Sequence, residues 1–217
     1  MTDGITTTNG ITMTNGVIEC ILSRSAAKYY DPTATLGDDQ IRDLVRIGTS
    51  APTSFHLQNW RFIAVRTPEA KARLRPLAWD QPAITEAAVT FIVCGQLADS
   101  SVVPERLAPL VEAGIMPAKM VPEWEIPARG LYMEYPQRRR DEAVRTGTFG
   151  AAAMIYAARS LGLGSTPMIG FDAEAVHNEF GLAEDEVPVM LLTVGPERAG
   201  NWPQKPRRPV ADVLHLV

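Results

Sequence analysis

Hydrophobic positions along this chain fall into two patterns: recurrences every three or four residues, and short unbroken runs. Val17, Ile18, Ile21 and Leu22 share one side of a short helix over 17–24. Pro32 and Gly37 then break the chain, and Asp38 offers an N-cap for a helix whose face is Ile41, Leu44, Val45 and Gly48, ending before Pro52. The run 60–65 reads as a strand. Thr67-Pro68-Glu69 supplies a cap, an N1 proline and a first-turn acid, and so starts a helix through about 77. The stretch 88–94 is largely apolar and rich in β-branched residues, as a strand buried on both faces would be.

A long helix is expected over 146–161, dense in glycine and alanine, so that a second helix can approach it closely. Gly162 is its expected C′ stop. "GSTPMIG" at 164–170 is short and extended, Asp172 caps a helix ending at Gly181, and "VPVMLLTVG" at 187–195 is the last strand. The order gives three or four strands separated by unequal numbers of helices. Between them, 97–148 holds Pro104, Pro109, Pro117, Pro122, Pro127 and Pro136, which exclude a central strand. Two or three short helices in a peripheral excursion are expected there, with "QRRRDE" at 137–142 on a solvated helix face. The Thr-rich start repeats, as ITTTN after Gly4 and ITMTN after Gly10, and reads as a flexible extension over 1–16.

Composition narrows the partners. The 217 residues are 46% hydrophobic and 21% charged, with no apolar run long enough to span a membrane and no signal-peptide pattern at the start. A net charge of −4 argues against nucleic acid or an acidic membrane as the main partner. Cys20 and Cys94 lie in apolar contexts without metal-ligand spacing and read as reduced core thiols. A cytoplasmic protein is the default. There is no G-x-S-x-G, no Walker loop and no H-E-x-x-H, and "GLGSTPMIG" follows a helix rather than a strand, so it is no dinucleotide fingerprint. His56, His177 and His215 are scattered. If the chain is an enzyme, an organic cofactor carries the reaction.

Two features then hold interest, each with a plainer alternative. Arg24 and Lys28, four apart, would share a helical face, and in "KPRRP" Lys205 and Arg207 point to one side of an extended segment. These pairs close on one phosphate, or all are solvated charges. In "TSAPTSFHLQNWRFIAV" at 49–65, neutral hydroxyls and amides precede an apolar strand. They suit a planar heteroaromatic ring with polar edges, or they bond the local backbone in an ordinary loop.

In order along the chain, five stretches resemble motifs of the FMN-dependent nitroreductase family. They are "RSAAKYY" at 24–30, "APTSFHLQNWRF" at 51–62, Gln81 in "DQPAITEAAVTFIV", "ARSLGLGSTPMIGFD" at 158–172 and "KPRRP" at 205–209. His56 stands where the family often has Asn, Asn59 replaces its usual Pro, and Ile169 sits where some members have Glu. The resemblance covers about 17–217.

That resemblance implies an α+β fold: a mixed, mainly antiparallel central sheet wrapped by helices in an intertwined homodimer. It implies one domain over 17–217, with the tail 196–217 reaching the partner subunit and FMN at the interface. Arg24, Lys28, Ser25 and Ala26 would meet phosphate or ribityl groups, and Lys205 and Arg207 would complete the phosphate site. Pro52, Thr53, Ser54 and His56 would approach the ring from the other subunit. Gln81 would meet its pyrimidine edge, and Pro167, Met168, Ile169 and Gly170 would lie along one face. No side-chain acid or base is implied as catalytic. The implied activity is ping-pong reduction of a nitroaromatic, quinone or related small-molecule acceptor by NADH or NADPH. A different redox task on the same fold, or flavin storage without turnover, are the alternatives.

Overall fold

The computed structural model describes residues 15–217; the expected Thr-rich extension lies outside the described residues except for Asn15 and Gly16, which open the first helix. In chain order the helices are α1 (Asn15–Ser23), α2 (Asp38–Gly48), α3 (Pro68–Leu77), α4 (Ala83–Glu86), α5 (Val103–Glu112), α6 (Val121–Tyr132), α7 (Pro136–Ser160) and α8 (Ala173–Glu179). The strands are β1 (Trp60–Val65), β2 (Val89–Gln96), β3 (Gly164–Met168) and β4 (Glu186–Gly195). The sheet order is β1-β2-β4-β3, and all three ladders are antiparallel. One isolated parallel bridge, Ala26 to Ser165, lays the segment after α1 beside β3.

Both faces of the sheet are covered, which is why β2 lacks alternation: every residue but its last is buried. On one face Val89, Phe91, Val93, Leu192 and Val194 pack with Leu44 of α2 and Met154 of α7. On the other, Ile92, Cys94 and Leu191 pack with Leu74 of α3, Ile84 of α4 and Val176 of α8. The small residues of α7 admit the expected second helix at Gly48 of α2, where an added Cβ would come within 3.3 Å of the Gly150 carbonyl, and they admit the sheet as well. A Cβ at Gly150 would come within 2.9 Å of Phe62 Cζ, and one at Gly95 within 1.9 Å of the Ala143 carbonyl, so β2 and α7 touch backbone to backbone.

The expected caps at Thr67 and Asp172 are present, accepting the N–H groups of Ala70 (3.2 Å) and Ala175 (3.0 Å). Gly162, at φ +74°, ends α7 with Leu163 N–H on Ala158 O and Gly162 N–H on Arg159 O. Three expectations are revised. The N-cap of α2 is Gly37, whose N–H reaches Gln40 Oε1 (3.0 Å); Asp38 lies in the first turn and pairs with Arg42 and Arg66 instead. The short α4 has no counterpart in the hydrophobic pattern. The long helix begins at Pro136 rather than Thr146, and "QRRRDE" is only partly solvated. Arg139 Nε donates to Ala98 O (2.8 Å), and Glu142 is buried, accepting from Tyr132 and Arg145. Polar partners anchor that turn where apolar residues were absent. Among the described residues no helix is long and apolar enough to cross a membrane.

Candidate active site

The β3 edge of the sheet opens into a cleft of about 530 Å³. One wall is the segment from Arg24 to Tyr29, tied to β3 by Ala27 N–H on Ser165 O (3.2 Å). The floor is Thr166 and Met168 of β3, with Gln81 to Ala83 at the start of α4. The tail from Gly200 to Arg207 closes the other side. It stays there through one side chain that pattern reading did not single out. Asn201 Oδ1 accepts the N–H groups of Lys28 (2.7 Å) and Tyr29 (2.9 Å), and its amide donates to Tyr29 O (2.9 Å) and Glu197 (3.0 Å). Gln204 adds a bond to Arg24 O (3.1 Å). Both act on backbone from far along the chain, so no local spacing announces them.

Arg24, Lys28, Lys205 and Arg207 therefore line one cavity, though Arg24 and Lys28 do not share the expected helical face, because α1 ends at Ser23 and both lie beyond it. Among the described residues none of the four forms a salt bridge, although ten other arginines do. The one carboxylate lining the cleft, Glu86, is taken by Arg198 at 3.1 Å. Lys28 lies over the Tyr29 ring and Lys205 over Trp202, which limits their freedom. A cavity with four uncompensated cations at its rim and apolar or neutral polar walls suits an anionic ligand with a large uncharged part. Among the described residues no cluster of potential metal ligands occurs.

Ser25, Ala26, Gln81 and Met168 also line the cleft. Gly170 abuts it, its carbonyl accepting from Gln81 Nε2 (3.1 Å). Pro167 and Ile169 are exposed beside it. Below the floor, Tyr30 is fully buried, its hydroxyl 2.9 Å from Thr193 Oγ1; burial pushes its pKa up to about 12. Burial likewise pushes the Cys94 thiol up to about 12, which keeps it unreactive.

Pro52, Thr53, Ser54 and His56 do not line this cleft. They precede β1, at the opposite edge of the sheet. The loop enters β1 at Trp60, which pairs with Gly95, whereas Thr166 of the cleft pairs with Thr193 and so stands opposite Thr90. Three strand spacings separate the edges, roughly 14 Å, and the five residues from Thr90 to Gly95 add about 17 Å along the strands. Within one chain the two regions cannot grip one small ligand.

The loop's polar groups have partners of their own. Thr49 and Ser50 hydroxyls donate to Arg46 O (3.0 and 3.1 Å), Thr53 Oγ1 accepts from Gln58 N–H (3.1 Å), and Ser54 Oγ lies 2.8 Å from Tyr132 OH. Burial first, then the neighbouring Glu142, raises the Tyr132 pKa, opposed by its bond to Ser54. His56 Nε2 is 2.9 Å from Gln58 Nε2. Asn59, in place of the family's proline, joins the Gln96 carbonyl (2.6 Å) to the Thr146 hydroxyl (2.9 Å). Local bonding thus accounts for much of the seam. It does not account for its backbone: Phe55, His56 and Gln58 have φ of +48°, +56° and +47°. Left-handed backbone costs on the order of 1–2 kcal/mol per non-glycine residue, and a simple turn would avoid it.

The fold and the cleft define a class, and comparison with known proteins agrees. Residues 21–196 match the profile of the Nitroreductase family. YdgI of Bacillus subtilis (strain 168), named as an NAD(P)H nitroreductase, is 30% identical over 182 residues, covering 82% of this chain and 87% of its own. YodC of the same organism, similarly named, is 28% identical over 178 residues, covering 82% and 88%. A nitroreductase-type protein of Exiguobacterium sibiricum 255-15, solved in complex with FMN, superposes with a TM-score of 0.85 over 99% of this chain and 100% of its own, at 24% identity. The chain belongs to the nitroreductase family.

Proposed function

We propose that this protein is an FMN-dependent oxidoreductase that takes hydride from NADH or NADPH and passes it to a nitroaromatic, quinone or related acceptor. One observation carries the reading: four cations, without carboxylate partners among the described residues, close on a single cleft whose remaining walls are apolar or neutral apart from Glu86, which Arg198 pairs. The donor set fits the cofactor. Arg24, Lys28, Lys205 and Arg207 would hold the phosphate, with Ser25 and the Ala26 backbone beside the ribityl chain. The Gln81 amide would meet the pyrimidine edge, and Pro167 to Gly170 would lie along one ring face with the Ile169 N–H toward N5.

When bound, FMN supplies the hydride-accepting and hydride-donating centre. The chain's own part is to fix the ring against β3, keep water from one face and hold positive charge nearby. Lys205, if it extends past the phosphate, would favour the electron-rich form of the ring. No side-chain acid or base is required.

A second copy completes the site in this reading. Val17, Ile21 and Leu22 of α1 are exposed, as are Phe149 and Tyr156 of α7 and Val210, Val213, Leu214 and Leu216 of the tail. Apolar surface of that extent favours burial against another chain. A homodimer would also bring Pro52, Thr53, Ser54 and His56 of one chain to the cleft of the other, and their strained backbone accords with such a task.

The test is spectroscopic. Purified protein incubated with FMN and desalted should retain a yellow flavin spectrum, and NADH or NADPH should bleach it under anaerobic conditions. Colourless protein would sink the cofactor assignment. Yellow protein that neither nucleotide bleaches would favour storage.

A further inference from the structure

The turn that follows α3 holds a large aromatic side chain two residues before Gln81 of the cleft, without burying it. Trp79 and Asp80 are consecutive non-glycine residues in left-handed backbone, at φ +53° and +54°. Asp80 N–H on Arg75 O (3.1 Å) and Gln81 N–H on Ala78 O (3.1 Å) hold the turn in that form. Its effect is to send the indole outward: Ala78 is fully buried, whereas Trp79 is 74% exposed.

The indole is nonetheless seated. Its six-membered edge lies on Gly170, where a Cβ would come within 2.8 Å of Cε3 and 2.9 Å of Cζ3. The Gly170 carbonyl in turn accepts from Gln81. Trp79, Gln81 and Gly170 thus form one rim, which Ile169, 82% exposed, extends. This rim borders the Gln81 end of the cleft. An indole needed only to fill space would lie in the core, and a turn needed only to leave α3 would use glycine.

We infer that Trp79 determines acceptor specificity: its indole stacks the planar ring of an aromatic oxidant, a quinone or nitroaromatic, at the mouth of the cleft. This rests on the function proposed above. An indole offers a flat π surface and no charge, so it rewards flat aromatic oxidants over compact inorganic ones such as ferricyanide.

The test reads binding before turnover. Menadione is titrated by calorimetry into FMN-loaded, oxidised protein with no reductant present. Trp79→Leu should raise the Kd roughly three- to tenfold, and Trp79→Phe should stay within about twofold of wild type, as expected for loss or retention of an aromatic pair. In turnover, kcat/KM for menadione should fall by the same factor in Trp79→Leu, while kcat/KM for ferricyanide and for the nicotinamide donor hold. An unchanged menadione Kd in Trp79→Leu, an equal loss for ferricyanide or the donor, or a changed oligomeric state overturns the inference. Wild-type protein that takes up no FMN overturns the cofactor reading itself, and shows it before any oxidant is added.

Discussion

The two edges of the sheet solve opposite problems. At the β3 edge the backbone is tied down by Asn201 and Gln204, while four cations have no carboxylate partner among the described residues. At the β1 edge the polar side chains find partners within the chain, and the backbone is what is strained. Charge withheld from pairing marks a place where a ligand's charge is expected. Strain retained without an unmet polar group marks a surface shaped for contact. In the proposed function the cleft is the primary binding site and the loop its complement from a second copy.

Removing cleft charge should separate the edges most sharply. Arg24→Ala and Lys205→Ala should each weaken FMN binding about 10- to 100-fold, the loss expected for one hydrogen bond to a charged group. Neither should move the melting temperature of the FMN-free protein much, since no salt bridge is lost. Flavin-fluorescence titration and thermal melts check both, and unchanged affinity in the two variants would return these residues to solvated surface.

The next effect concerns the floor beneath the cleft. Tyr30, raised from 10.0 to about 12 by burial, is neutral in the native fold, whereas the unfolded chain loses that proton near pH 10. Its contribution is complete below pH 10 and lost as pH rises toward 12. Chemical denaturation should show stability falling across that window, less steeply in Tyr30→Phe. An identical slope in the variant would remove Tyr30 as a cause.

Asn201→Ala should come third. It removes no charge, yet it frees the Lys28–Tyr29 backbone from the tail, costing about 1–3 kcal/mol. FMN affinity should drop while its salt dependence stays as in wild type, in contrast to Arg24→Ala, whose salt dependence should flatten. The smallest effects belong to the loop. His56→Gly should raise the stability of the FMN-free protein by up to about 1 kcal/mol, by relieving left-handed backbone. Tyr132→Phe should lower it by about 1 kcal/mol through the lost bonds to Ser54 and Glu142. A loop variant that alters FMN binding to isolated monomers would break the division between the edges.

Local chemistry carried much of this into the sequence. Thr67, Asp172 and Gly162 announce element ends because caps act within one turn, and β2 announces itself because both its faces are buried. The first turns of α7 were hidden because Arg139 and Glu142 anchor them through polar bonds that no hydrophobic period records. At the site, the basic residues pointed to the cleft, although the helical spacing read for Arg24 and Lys28 is absent, and Gln81 was marked only by the family resemblance. Asn201 and Gln204 did not, since their partners lie more than 170 residues away. The strain at Phe55, His56, Trp79 and Asp80 had no signal either, because left-handed backbone at non-glycine residues is imposed by tertiary packing.

Native mass spectrometry of the protein titrated with FMN tests the central claim most directly, because it reads ligand and copy number together. The account predicts that FMN appears on dimers, with two molecules at saturation, and is absent from monomers. FMN held as tightly by monomers, or by neither species, would contradict it.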